Sequence, residues 1–298
     1  MQSNDIHFDV IVPIYKSGDY LERCLDSIKN QTHSDWSCWI LDGDPDEKWA
    51  DEESIIVKRF LDDDRFHYEI QDQVTNPHLS GARNQAIAMG SATHIALLDS
   101  DDIWYPEHLE ELAIAWEESP DCAIVSTVGE YDQDYRWQNE DKFFRRRFPL
   151  HVMEEMPPEG CEWLLATHYP ALVIVPSIVS FRRDLFEKVG GFPPVRYEED
   201  VALFSLLLRE GGVSPGEGGR SFKQVPFVGA WLDWLRDGYK VSTEMHTTQK
   251  PRLLQDRQFY SMQWHDWCQS IISEPPLGFQ GTGWEERCLK IVRGDWPW

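Results

Sequence analysis

The chain has 298 residues, 41% hydrophobic and 27% charged, enough for a large buried core in one domain or one and a half. Asp and Glu number 52 against 28 Lys and Arg, a formal charge of -24, which repels nucleic acid and anionic lipid and excludes both as default partners. A phosphate-bearing ligand therefore needs local help from a metal ion, a helix N-terminus or a few placed arginines.

In chain order, Phe8 to Ile14 is a short, nearly all-apolar run, the pattern of a strand buried on both faces. After the turn at Lys16-Ser17-Gly18, Asp19 and Glu22 read as a capping box. Leu21, Cys24, Leu25 and Ile28 then form one apolar helical face. Trp36 to Leu41 is a second strand ending at Asp42-Gly43-Asp44, Ile55 to Leu61 is helical, and Phe66 to Ile70 is a third strand. Ser80-Gly81 opens a helix from Ala82 to Met89 that Gly90 stops. Thr93 to Leu98 is a strand running into Asp99, Asp101 and Asp102. Pro106 suits the first turn of the next helix, whose buried stripe is Leu109, Leu112, Ala113 and Trp116. Ala123 to Val128 and Val173 to Phe181 are further strands, Val201 to Leu208 is a helix, and 211–219 is a glycine-rich loop.

Strands alternating with helices predict a doubly wound α/β sheet, in which ligands bind at the carboxyl ends of the strands. Tyr15, Asp42 and the 99–102 cluster all fall at such ends and are expected to share one rim. The six cysteines show neither a CxxC pair nor a Cys/His zinc spacing, so reduced thiols are expected. The first residues, MQSNDIHFDV, have no basic or apolar leader, and no window approaches a membrane span. A cytoplasmic protein is expected, with peripheral membrane contact left open.

A D-x-D at a strand end suits a hard divalent cation that bridges to a diphosphate, which would also relieve the repulsion among the carboxylates. Helix capping by Asp101 or Asp102 is the plainer alternative. The stretches VPIYKSGDYLERCLDSI, LDGDPDE, SGARNQAI, LLDSDDIWYPEHL and GGFPPVRYEEDVALF occur in this order. Together they resemble the family-2 glycosyltransferases of GT-A fold, over about residues 8 to 210.

The resemblance implies a GT-A type, mixed or mostly parallel sheet flanked by helices over residues 1–210, with a Trp-rich extension over 211–298. It implies a nucleoside diphosphate sugar donor, most simply a UDP-sugar, a carbohydrate or glycolipid acceptor, and Mn²⁺ or Mg²⁺. Pro13 and Tyr15 would lie beside the base, with Tyr15 as a half-buried strand-end aromatic the alternative. Asp42 would accept hydrogen bonds from the base, or else be a turn aspartate; the usual Asp-Asp-Gly is here Asp42-Gly43-Asp44. Arg83 would reach the nucleotide, or form a surface ion pair. Asp99 would bind the ribose or help hold the metal, and Asp101 would be the direct metal ligand, with Asp102 capping the next helix. Asp200 of the Glu199-Asp200 pair would be the general base, with Glu199 the alternative, or both would simply favour a helix N-terminus.

Features outside these motifs have plainer readings beside functional ones. The resemblance implies a late histidine near the metal or diphosphate, for which His246 is one candidate while another register puts Trp234 there; a structural histidine is the plainer reading of His246. Arg145-Arg146-Arg147 suits a phosphate-bearing acceptor or a solvated patch, and the tryptophans of the extension suit sugar stacking or core packing. Two other functions compete. A sugar-phosphate nucleotidyltransferase usually needs a glycine-rich phosphate loop after the first strand, where this chain has the single Gly18. A catalytically silent glycosyltransferase-like binding module would have lost the D-x-D or the Glu-Asp pair, and both are present.

Overall fold

The computed structural model describes residues 6–43, 47–76, 78–134, 143–148, 175–194, 199–211 and 222–232. The strands among them are β1 (Phe8–Ile14), β2 (Trp36–Asp42), β3 (Phe66–Ile70), β4 (His94–Leu97), β5 (Ile103–Trp104), β6 (Ile124–Asp134), β7 (Phe143–Phe148), β8 (Val179–Arg182) and β9 (Phe222–Trp231). The helices are α1 (Gly18–Lys29), α2 (Glu47–Lys58), α3 (His78–Met89), α4 (His108–Glu118), α5 (Arg183–Val189) and α6 (Glu199–Glu210). The strands form one mixed sheet in the order β3-β2-β1-β4-β8-β6-β9-β5, with β7 beside β6.

The first four strands are parallel neighbours, joined by α1, α2 and α3. Their order reverses between β1 and β4. In a doubly wound sheet such a reversal sets the ligand crevice at the carboxyl ends of these two strands. Beyond β4 the sheet continues with antiparallel β8 and β6, then β9 parallel to β6 and β5 antiparallel to β9.

The core follows the apolar runs. Val10, Ile11 and Val12 of β1, Ile40 and Leu41 of β2 and Ile95 to Leu98 around β4 are buried. Helix α1 covers them with Leu21, Cys24, Leu25 and Ile28, the face its periodicity sets, and α4 adds Leu109, Leu112, Ala113 and Trp116. Cys24, Cys38 and Cys122 are buried free thiols, and burial raises Cys24 and Cys38 well above the usual thiol range. Pro13 sits in a central strand at no cost. Leu98 N–H donates to Ile11 O on the β4 side, so the next position facing that way lies beyond the end of β4.

At the opposite end of the sheet, buried Asp9 accepts from Trp39 Nε1 (2.7 Å), Ala92 N–H (2.8 Å) and Arg183 Nη2 (2.6 Å). Arg183, itself partly buried, also donates to Ala92 O and Ile87 O, so the buried Asp9 carboxylate meets a guanidinium held by three bonds.

Several boundaries differ from expectation. Helix α1 starts at Gly18 with Ser17 as its N-cap, so Asp19-Glu22 is not a capping box, and Glu22 instead accepts from Arg59 at 2.6 Å. Helix α2 begins at Glu47, well before Ile55, and α3 begins at His78. The expected strand from Val173 is, from Pro176 to Ile178, a 3₁₀ turn, with β8 starting at Val179. The side chains of Arg145-Arg146-Arg147, which lie in β7, and the extension beyond Leu232, including His246, lie outside what is described.

Candidate active site

The crevice lies where β1 and β4 end. Its floor is two tight loops that touch. Ser17 Oγ and Ser100 Oγ are 2.6 Å apart, joining the loop after β1 to the loop after β4. Ser17 Oγ also accepts from Tyr15 N–H at 3.1 Å, and Ser17 N–H donates to buried Glu53 of α2. Between them Lys16 has φ 55°, a left-handed conformation that a side chain adopts only under constraint. The turn turns Tyr15 outward, leaving it 57% exposed, with Lys16 Nζ 5.2 Å from its ring centre. Pro13 stays buried inside β1, opposite Leu41.

Asp42 ends β2 directly opposite Ile14 and is buried. Tyr68 of β3 donates its hydroxyl to Asp42 Oδ2 at 2.7 Å. Burial, and then this bond to a carboxylate, push the Tyr68 phenol above its ordinary range, so the tyrosine remains a donor. The carboxylate is thus fixed in direction, which a turn aspartate does not need.

The acidic loop is a turn in which Asp102 N–H donates to Asp99 O at 3.0 Å. Asp99, Asp101 and Asp102 are all partly exposed. Asp102 does not cap α4, which starts at His108 with Glu107 before it. Its Oδ2 instead accepts from Ser177 Oγ at 2.5 Å, and Ser177 Oγ in turn accepts from Asp99 N–H at 3.0 Å. Trp104 Nε1 donates to Ser177 O at 2.7 Å. Ser177 therefore staples the acidic loop at both ends. Sequence reading missed it; the proline before it, which argues against a continuous strand, was the available signal.

Arg83 is the central finding. It projects from α3 and is only 1% exposed, so it forms no surface ion pair. Its Nη2 donates to Asp99 Oδ1 and its Nη1 to Glu199 Oε1, both at 2.7 Å. Its guanidinium lies 5.4 Å from the centre of the Phe192 ring. Burial opposes its charge, but Asp99, Glu199 and Asp200 outweigh that and raise its pKa. The neighbouring Asn84 pins Phe192 by both backbone groups, donating to its carbonyl and accepting from its N–H, each at 2.8 Å.

Glu199 and Asp200 open α6, where the positive end of the helix dipole meets them. Glu199 is buried; burial, and then the neighbouring Asp200, raise its pKa to about 7 despite Arg83. Asp200 is more exposed. Arg83 thus draws Asp99, at the strand end, and the Glu199-Asp200 pair into one constellation.

Asp99 and Asp101 offer the hard oxygen donors that Mg²⁺ or Mn²⁺ prefers. Among the described residues no three acidic, histidine or cysteine side chains gather into a ready-made cage. Two carboxylates fit a cation that completes its shell with water and substrate phosphates.

Comparison with known proteins bears on the family and the fold. The family model for "Glycosyl transferase family 2" matches residues 9–190, more than half of the chain. The putative teichuronic acid biosynthesis glycosyltransferase TuaG of Bacillus subtilis is 32% identical over 119 residues, 40% of this chain and 44% of that protein. The mannosyltransferase PcManGT of Pyrobaculum calidifontis, in complex with GDP-Man and Mn²⁺, superposes with a TM-score of 0.59 at 16% identity, over 99% of this chain and 75% of that one. Residues 1–349 of S. aureus TarS in complex with UDP give 0.56 at 13% identity, over 96% and 70%. The chain spans less than two thirds of the first curated relatives it matches, at 58%, 64% and 44% of their lengths. Among the described residues no helix is long and apolar enough to cross a membrane. With a GT-A type mixed α/β sheet and the family's motifs set around one crevice, the chain belongs to glycosyl transferase family 2.

Proposed function

We propose that the protein transfers a sugar, with inversion at its anomeric carbon, from a nucleoside diphosphate donor to a hydroxyl of a glycan or glycoconjugate. A UDP-sugar is the donor of first choice. The observation that carries this reading is the hydrogen-bonded chain Asp99–Arg83–Glu199, which links the D-x-D turn at the crevice to the Glu-Asp pair of α6.

In this reading the base stacks on Tyr15 and donates to Asp42, already oriented by Tyr68. Asp99 and Asp101 face the ribose and the diphosphate. A divalent cation bound there supplies positive charge to the departing diphosphate. Arg83 acts from behind Asp99 instead of touching the nucleotide, because its guanidinium is buried and both terminal nitrogens are engaged. Asp200, the more exposed of the pair, takes the proton of the acceptor hydroxyl as that oxygen attacks the anomeric carbon. The bond from that carbon to the β-phosphate oxygen breaks, and the nucleoside diphosphate leaves on the opposite face. The complexes of TarS with UDP and of PcManGT with GDP-Man and Mn²⁺ support a nucleotide-bound donor on this fold.

Calorimetric titration of UDP, GDP and dTDP, with and without Mn²⁺, tests the donor half. One nucleotide is expected to bind wild type only with the metal, and at least about tenfold more weakly to Asp101→Asn. Asp200→Asn is expected to keep that affinity and lose about a hundredfold or more in turnover, the range of a removed general base. Absence of binding to every nucleotide would sink the reading.

A further inference from the structure

We infer that Arg83 and Glu199 are positioning residues, a buried fork and its anchor that set α6, and with it Asp200, against the D-x-D turn. This rests on the reading above and adds to it the part that aligns the donor side with the base side.

The argument begins with what a buried arginine can do. A guanidinium is a rigid planar fork whose donors keep fixed directions. Arg83 spends its two terminal nitrogens on two carboxylates far apart in sequence, Asp99 and Glu199, at the same 2.7 Å. With the guanidinium 1% exposed, the bond to Glu199 is buried, and the bond to Asp99 is shielded on the arginine's side only, since the Asp99 side chain is 33% exposed. Fixing one carboxylate therefore fixes the other relative to it.

The next residue repeats the arrangement on the backbone. Asn84 holds Phe192 by its N–H and its carbonyl, and the Phe192 ring lies against the Arg83 guanidinium. Gly191 passes so close that a Cβ there would stand 2.9 Å from Asn84 Oδ1. Two adjacent residues of α3 thus hold Phe192, ahead of α6, and Glu199, its first residue. Glu199 is buried in this grip while Asp200, one residue on, is the more exposed. An anchor beside a base explains why two carboxylates sit together and only one is open to an acceptor.

The test uses the full chain and separates an anchor from a base. Glu199→Gln keeps an oxygen for Arg83 Nη1, and Glu199→Ala removes it. Two readouts are taken: hydrogen exchange across residues 190–210, and turnover of UDP-GlcNAc and GDP-mannose with Mn²⁺, by release of the nucleotide. Glu199→Ala is expected to speed exchange at the start of α6 about tenfold or more while leaving β1 and β2 unchanged. It is expected to lower kcat about a hundredfold, with KM for the donor within about threefold. Glu199→Gln should restore protection and most of kcat, and Arg83→Lys, which cannot fork, should behave like Glu199→Ala. Equal loss of kcat in Gln and Ala variants would make Glu199 the base and overturn the inference. Unchanged exchange in Glu199→Ala would also overturn it, whatever the turnover. If wild type turns over neither sugar nucleotide, the exchange measurement still decides the positioning role, and the missing turnover counts against the proposed function alone.

Discussion

A buried guanidinium is expensive unless both its partners are present, and here each partner belongs to a different half of the candidate site. The same logic gives Glu199 a measurable signature. Burial and Asp200 lift its pKa to about 7, against 4.5 for an unperturbed glutamate. Between those values the unfolded chain releases the proton and the folded chain keeps it. Folding stability therefore falls as pH rises through this window, by about 3 kcal/mol at most, and stays at its lower level above pH 7. Urea denaturation at pH 5 and pH 8 is expected to show a smaller drop in Glu199→Gln than in wild type. An identical drop in both proteins would mean that Glu199 is ionised throughout. Among single residues, Asp42 shows how a motif position gains direction from its surroundings: its aspartate is legible in sequence, but its partner Tyr68 is not, since nothing in the string pairs them.

At the scale of elements, the Gly190-Gly191 turn after α5 is a contrast built into one motif. Both residues have positive φ, 88° and 82°. A Cβ on Gly190 meets nothing within 4 Å, while one on Gly191 meets Asn84 Oδ1 at 2.9 Å and Phe186 Cζ at 3.2 Å. Gly190→Ala is expected to cost about 1 kcal/mol, the conformational term alone. Gly191→Ala should cost about 2–3 kcal/mol, because Asn84 must also release Phe192. Denaturation midpoints of the two variants check the order; equal costs would show that Asn84 moves freely.

The legibility of the elements follows their physics. Strands β1 and β2 were readable as apolar runs bounded by turn residues, and α1 and α4 by their buried stripes. Helix α2 was half hidden, because its first turns, Glu47 to Glu52, are mostly acidic and polar and carry no apolar period. Strand β5 has two residues, too few for any pattern. Strand β9 carries Pro226, which normally argues against a strand. Its register with β6 shifts after the Ser126–Gln224 pair, and exposed Pro226 lies in that irregularity. Of the site, Tyr15, Asp42 and Asp99 were placed on one rim by the rule for strand ends. The bridge from Arg83 to Glu199 and the staple by Ser177 were not, because each joins residues that only the folded sheet brings together.

For the molecule as a whole, the charge of -24 sets the field through which the proposed donor must arrive. A diphosphate is repelled at long range, and dissolved salt screens that repulsion more than it screens contacts within the crevice. Raising NaCl from about 20 to about 150 mM, at saturating Mn²⁺, is therefore expected to increase the donor association rate, since the screening length falls to about 8 Å. Stopped-flow measurement of nucleotide binding checks it. A rate that falls with salt would mean that a local positive field dominates the approach.

The fork of Arg83 also has a consequence for how the chain is made. Synthesis is vectorial, and the parallel half of the sheet, through β4, emerges from the ribosome long before Glu199. Until then Arg83 has Asp99 beside it but lacks the partner that completes its burial. The early strands can pair, and Asp99 can already match the charge of Arg83, yet Nη1 has no buried acceptor until Glu199 arrives. Helix α6 is consequently the keystone: a chain truncated before it would keep the Arg83–Asp99 pair but leave Arg83 Nη1 without its buried acceptor.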